Sequence, residues 1–235
     1  MTHRTTTAIR RRLRDLADAD DAAFLQRFFK TGPGQYGEGD RFLGIRVPAL
    51  RGLAREFRDI PHSAALELLR SRWHEERLLA LIIMVNSYSS GDAATREEIY
   101  RSYLAHTAFI NNWDLVDASA PNIVGAHLWP DDVTPLVRLA GSPSLWERRI
   151  AIVATHHFTK QRSYEPTLRI SELLLHDGHD LIHKATGWML REVGKRDQET
   201  LKRFLREHAG EMPRTALRYA IERFPPRLRM AYMAM

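Results

Sequence analysis

An all-helical chain of stacked helix pairs is the fold class this sequence predicts, and three observations predict it. Apolar residues recur at helical spacing through most of the 235 residues. No stretch alternates as a half-buried strand would. Four helix-like segments also recur at a fixed step along the chain. About a dozen helices and no sheet are expected.

The elements can be justified in order. Leu50, Leu53, Ala54 and Phe57 follow Pro48 at the i, i+3, i+4 and i+7 positions of one helix face, and proline suits a first turn. Leu66, Leu68 and Leu69 form a short amphipathic stretch after Pro61. Asn111 and Asn112 are natural caps for a helix beginning at Trp113. Ser144-Leu-Trp-Glu147 is a capping-box pattern, so a helix starts there and runs through Ile150, Ile152 and Val153. Clusters of Gly, Pro, Asp and Ser break the chain near 31–40, 89–93, 129–132, 141–144 and 177–180.

The repeat carries more information. Segments centred on Arg77, Trp113, Arg149 and Ala185 each lie 36 residues after the previous one. Amphipathic segments alternate with them, at Thr95–Ala105, Val133–Ala140 and Pro166–Leu175. Alternation of this kind marks stacked helix pairs of the HEAT or armadillo style. The reading is a single domain over residues 1–235, with a C-terminal tail, 225–235, that docks or frays. In such a stack one helix of each pair lines a concave side, so residues at one repeat position form a stripe there. The stripe reads Arg77, Trp113, Arg149, Ala185. Asp117 and Trp188 follow three to four residues after two of these positions, on the same helix faces.

Composition limits the function classes. The chain has no cysteine, which excludes a disulfide framework, a Cys-ligated metal and a thiol nucleophile. Its longest apolar run, Leu78 to Val85, is too short to span a bilayer. The N-terminal segment is basic, then acidic, without the apolar core of a secretory signal. The expectation is a cytoplasmic protein without membrane contact. The formal charge is +6 and the sequence pI about 9.8. Of the 35 basic residues only Lys30, Lys160, Lys184, Lys195 and Lys202 are lysines. A polyanion such as nucleic acid suits this excess, although an arginine-rich proteome would produce it too.

Two tryptophans, one carboxylate and an arginine on one stripe are unusual where a purely structural stack would place Leu, Val and Ala. Taken singly, each tryptophan fits core packing, Asp117 a surface charge and Arg149 a salt bridge. Together they fit a chemistry. Indole faces attract a cation. A carboxylate stabilises developing positive charge. A guanidinium holds a phosphate through its fork of donors.

Asn112-Trp-Asp-Leu-Val-Asp117, Leu145-Trp-Glu-Arg-Arg-Ile-Ala-Ile152 and Lys184-Ala-Thr-Gly-Trp-Met-Leu-Arg-Glu192 resemble the three signature helices of the AlkD-type DNA alkylation repair glycosylases. Phe42-Leu-Gly-Ile-Arg-Val-Pro48 resembles that family's early loop. Order and spacing agree from about residue 20 to about 222. The resemblance implies a superhelical stack of HEAT-like repeats with a concave DNA-binding groove. It implies removal of cationic N3- and N7-alkylated purines from duplex DNA by hydrolysis, without a deep base-flipping pocket. It places Asp117 as the catalytic carboxylate, with Trp113 and Trp188 flanking the sugar and backbone of the damaged nucleotide. Arg149, rather than Arg148, corresponds to the DNA-binding arginine. Arg191, Arg46 and Lys184 are further DNA-contact candidates. Phe28 stands where the family often has a tyrosine, so a hydroxyl contact is missing.

The same reading expects a monomer, nucleoid-associated and without cofactor or metal. His176-Asp-Gly-His-Asp180 reads as a helix–helix turn rather than a metal site, and adjacent His156 and His157 diverge by about 100° on a helix. Two rival classes remain open. One is a non-catalytic helical module that binds nucleic acid or protein, which has no use for a carboxylate in its groove. The other is a metal-dependent phosphohydrolase using the histidines, which EDTA would inhibit.

Overall fold

The computed structural model describes residues 2–130 and 132–235. Among them the chain forms helices and no strand, apart from an isolated parallel bridge between Arg41 and Trp73. It divides into two compact units, Met1–Ser119 and Ala120–Met235.

The first unit contains α1 (Thr2–Asp15), α2 (Ala19–Phe28), α3 (Val47–Glu56), α4 (His62–Leu69), α5 (His74–Ser90), α6 (Ala93–Ala105) and α7 (Trp113–Ser119). Its centre is α5, against which α3, α4, α6 and α7 all pack. Leu79, Ala80, Leu81, Ile83 and Met84 of α5 are buried on several sides, as a helix surrounded by others must be. Pro48 sits in the first turn of α3, and Leu50, Leu53 and Ala54 form its buried face as the spacing predicts. Asp18 and Asp92 cap α2 and α6, accepting from the Asp21 and Thr95 amides at 2.8 and 2.9 Å.

The second unit contains α8 (Ala126–Leu128), α9 (Thr134–Ala140), α10 (Leu145–Lys160), α11 (Glu165–Leu173), α12 (Asp180–Gly194), α13 (Gln198–His208), α14 (Arg214–Ala220) and α15 (Pro226–Met233). Here α10 and α12 are central: α9, α11 and α12 pack on α10, and α13 and α14 on α12. The 36-residue step therefore selects α5, α7, α10 and α12, of which α5, α10 and α12 are central to their units, and the alternating amphipathic segments are α6, α9 and α11.

One local expectation is modified and another is decided. The Ser144 hydroxyl accepts from the Glu147 amide at 3.5 Å, but the Glu147 carboxylate turns to the Ser142 hydroxyl instead of closing the box on the Ser144 amide. That amide donates to the Ser142 hydroxyl at 3.1 Å. The segment 225–235, expected to dock or fray, docks. It forms α15, whose Tyr232 is buried and meets the Phe224 ring at 5.8 Å.

Gly187 allows α12 and α14 to approach. A Cβ there would lie 2.3 Å from the Ala216 carbonyl oxygen and 2.5 Å from the Tyr219 Cβ. Neither atom is the end of a flexible side chain, so Gly187→Ala must push α14 away. A loss of about 1–3 kcal/mol is expected from such overpacking. Denaturant unfolding would read it, and an unchanged midpoint with an unchanged slope would contradict the close approach.

Candidate functional site

In the first unit the site begins with the start of α7. Asn112 is fully buried, and its side-chain oxygen accepts from the Trp113 amide at 2.8 Å. This fixes the first residue of the helix. Pro121 has no N–H to continue the ladder, and α7 stops at Ser119. The Ser119 hydroxyl donates to the Leu115 carbonyl and so accepts from the buried Tyr103 hydroxyl of α6 at 3.0 Å. Burial pushes the Tyr103 phenol up, and the charge of Asp117 pushes in the same direction. Asp117 is half-buried, as is Trp113 one helical turn before it.

Trp113 stands at the end of an aromatic column. Its ring stacks on Phe29 with centroids 5.1 Å apart, Phe29 stacks on Phe42 at 5.0 Å, and both phenylalanines cover His74 at 5.1 and 4.5 Å. Phe28, 52% exposed, meets Trp113 edge-on at 6.1 Å and stacks with Phe24 at 6.0 Å. Phe28 and Phe29 therefore both border the Trp113 ring.

Beneath the column lies a buried ionic cluster that sequence reasoning did not find. His74 Nδ1 faces Asp40 at 2.8 Å and His74 Nε2 faces Asp114 at 2.7 Å. With a carboxylate on each nitrogen, both must donate, and the ring is an imidazolium. Burial opposes that charge, but Asp114 and Asp40 together raise the His74 pKa to about 9. Burial would likewise raise the Asp40 carboxyl. The His74 hydrogen bond and the Arg77 charge bring it below the ordinary carboxylate value. Arg77 donates to Asp40 at 2.7 Å, and the Asn112 side-chain amide donates to it at 3.3 Å. Arg77, placed on the concave stripe by the repeat, is thus a buried partner of Asp40.

His74 couples stability to pH with a definite sign. Its folded pKa lies above the unfolded value near 6.5, so its contribution is complete below about pH 6.5 and is lost as pH rises through about 9. The melting temperature is expected to decline over that interval in the native protein. His74→Gln should lack this component, and identical pH profiles for the two proteins would refute the assignment.

The same first turn of α5 holds the early loop. The amides of Leu43, Gly44 and Ile45 donate to the buried Glu75 carboxylate at 2.8, 2.8 and 3.2 Å. Gly44 has φ +84°, and a Cβ there would lie 2.0 Å from the Asp18 carbonyl oxygen, so glycine is required. Arg46, just after this loop, is exposed, pairs with Asp21 and lies over the Phe24 ring at 5.3 Å.

In the second unit Arg149 lies on α10 and is only 5% exposed. Its guanidinium donates to the Leu181 carbonyl in the first turn of α12 at 2.7 Å. Arg148 turns elsewhere, to Asp177 at 2.6 Å and to the Ser142 and Pro143 carbonyls. Asp177 also accepts from the His179 amide, and His179 Nδ1 accepts from the Leu181 amide. The 176–180 segment therefore builds the start of α12. On α12, Trp188 is half-buried beside the His156 ring at 5.9 Å. Burial, reinforced by the charge of Lys160, lowers the His156 pKa to about 4, so the ring beside Trp188 is neutral at pH 7. Lys184 pairs with Asp180 at 2.7 Å, and Arg191 pairs with Glu222. Ala185 is buried.

Among the described residues no group of three or more His, Cys, Asp or Glu side chains is arranged to hold a metal ion. Nor is any helix among them long and apolar enough to cross a membrane.

A family model for the DNA alkylation repair enzymes matches residues 9–224. The chain belongs to this family. The match takes in every helix carrying a candidate residue, from Arg46 in the early loop to Arg191 on α12. Among solved structures, one described as a predicted DNA alkylation repair enzyme from Enterococcus faecalis superposes with a TM-score of 0.68 at 16% sequence identity. It covers 89% of this chain and 97% of that one. At that identity the likeness is one of fold, and the family's all-helical architecture is shared along nearly the whole length. A search of curated proteins gives no match.

Proposed function

We propose that this member of the DNA alkylation repair family is a DNA glycosylase of the AlkD type, which excises cationic N3- and N7-alkylated purines from duplex DNA. The observation that carries the reading is Asp117. It is a carboxylate held half-buried on α7, one turn from the indole of Trp113, in a chain with a formal charge of +6.

The chemistry requires little more. An alkylated purine departs as a neutral base, so its C1′–N bond can break without a general acid. As the bond stretches, the electron pair leaves with the base and positive charge develops on the deoxyribose. A preorganised carboxylate stabilises that charge and orients a water for attack at C1′. The water's oxygen forms the new bond and its proton passes to the carboxylate and then to solvent. The indole of Trp113 adds cation–π stabilisation of about 1–2 kcal/mol where water is excluded. Phe24 and Phe28 extend an apolar edge beside it. In the second unit Trp188 offers an indole to the DNA backbone, and Arg149, fixed by the Leu181 carbonyl, offers a positive charge to phosphate. Arg46 and Lys184 are exposed enough to exchange a carboxylate for a phosphate at little cost. Arg191, more enclosed with Glu222, contributes less. Discrimination then rests on the charge and lability of the lesion rather than on its base edge.

The test is release of 3-methyladenine and 7-methylguanine from methylated duplex DNA by the purified protein, with and without EDTA. Release insensitive to EDTA is expected. Tight DNA binding with no base release would leave a non-catalytic module, and loss of release in EDTA would point to metal chemistry.

A further inference from the structure

His74 lies two elements away from α7, yet several lines of contact run from it to the start of that helix. Its Nε2 holds the Asp114 carboxylate directly at 2.7 Å. Its other nitrogen holds Asp40, which accepts from Asn112 at 3.3 Å. Its ring face meets Phe29, on which the Trp113 indole stacks. Three consecutive residues, Asn112, Trp113 and Asp114, are thus referred to one imidazole, and Asp117 follows one turn later on the same short helix.

A helix of seven residues has little rigidity of its own, because each end leaves its backbone groups without intrahelical partners. Tyr103 and Ser119 hold the far end of α7. The near end depends on the cluster. Burying an imidazolium between two carboxylates is a costly way to gain stability, since an apolar group of similar size does as well. It is an effective way to impose one geometry, because each ring nitrogen has a fixed direction.

We propose that His74 is a positioning residue for base excision, its imidazole clasping Asp40 and Asp114 so that α7 presents Trp113 and Asp117 in a single orientation. The proposal rests on the glycosylase reading of Asp117. The charged groups facing the ring are Asp114 from α7 and Asp40 from the loop before α3, with Arg77 of the same helix acting through Asp40. Phe29 and Phe42 cover its faces.

The experiment has two arms. In the first, single-turnover release of 7-methylguanine is compared for the native protein, His74→Gln and Asp114→Asn, together with affinity for undamaged duplex. His74→Gln is expected to slow excision about 10- to 100-fold, the scale of a reacting group displaced by a fraction of an ångström to an ångström, with affinity changed less than about twofold. Asp114→Asn removes only the charge from the direct His74–α7 contact and leaves Asp40 in place, so it serves if His74→Gln fails to fold. About tenfold slowing is expected of it. Native rates in both variants, or a rate loss matched by an equal loss of affinity, would overturn the proposal.

The second arm uses protein labelled with 5-fluorotryptophan, the Trp113 signal being assigned through Trp113→Phe. That signal is expected to titrate with a midpoint near 9 in the native protein and not in His74→Gln. A Trp113 signal that does not move over this range would also overturn the proposal. If the native protein releases no base, the glycosylase reading fails, and this second arm still decides whether His74 governs the start of α7.

Discussion

Asp117→Asn is expected to slow release of 7-methylguanine by at least about 100-fold, equivalent to about 3 kcal/mol of lost transition-state stabilisation. The amide has the size and shape of the carboxylate and keeps an acceptor oxygen, but it carries no charge. What the substitution removes is the electrostatic stabilisation of the forming sugar cation and the acceptance of a proton from the attacking water. Ground-state binding of DNA does not use that charge, and a negative group facing a polyanion opposes it. Affinity for duplex DNA should therefore be kept or slightly raised, and the effect should fall on the chemical step. Single-turnover kinetics beside equilibrium binding separate the two. A variant that excises at the native rate would remove Asp117 from the mechanism, and the glycosylase proposal with it. A variant that loses affinity in proportion to rate would mean that Asp117 organises the surface and does not act on the sugar.

Glu75→Gln is expected to be the most damaging conservative substitution for stability. The carboxylate accepts three amides of the early loop in a buried setting. A glutamine offers one acceptor oxygen and turns its NH2 group toward a donor. At least one buried amide is then left without a partner, at a cost of about 1–3 kcal/mol, with the loss of a charge-assisted acceptor added to it. A fall in melting temperature of about 5–10 °C follows for a chain of this size. Because the loop ends at Arg46 and leads into α3, this region should also gain hydrogen exchange before the rest of the first unit does. A native melting temperature would show that Glu75 does not hold the loop.

These two residues differ in how they could be found from the sequence. Asp117 was legible because it falls one turn from Trp113 on a helix defined by caps and by the 36-residue step, and because its segment resembles a family motif. Glu75 was not. His74, Glu75, Glu76 and Arg77 look in sequence like the polar first turn of a surface helix, which acidic residues favour. All four are in fact buried, since each finds its partner far along the chain: Asp40 and Asp114 for His74, the loop amides for Glu75, Arg10 for Glu76 and Asp40 for Arg77. No periodicity announces such pairs. The engagement of Arg77 by Asp40 was illegible for the same reason. A fixed step identifies equivalent helices, but not which of their charged residues has been neutralised from elsewhere. Arg149 is also buried, and it donates to a carbonyl on α12. The glycine of the early loop motif is explained only when the Asp18 backbone is seen against it.

The sequence by itself determined the helical class, several of the helices and the breaks between them, the cap at Asn112, and the positions of Trp113, Asp117 and Trp188. All of these follow from interactions within a few turns of chain, where spacing dictates which side chains share a face. Tertiary structure alone decided which charges are buried, which bases are already engaged by acids, and what grips the start of α7. Those outcomes depend on desolvation and on partners tens of residues away, and a charged side chain carries no local mark of the counter-charge that will meet it.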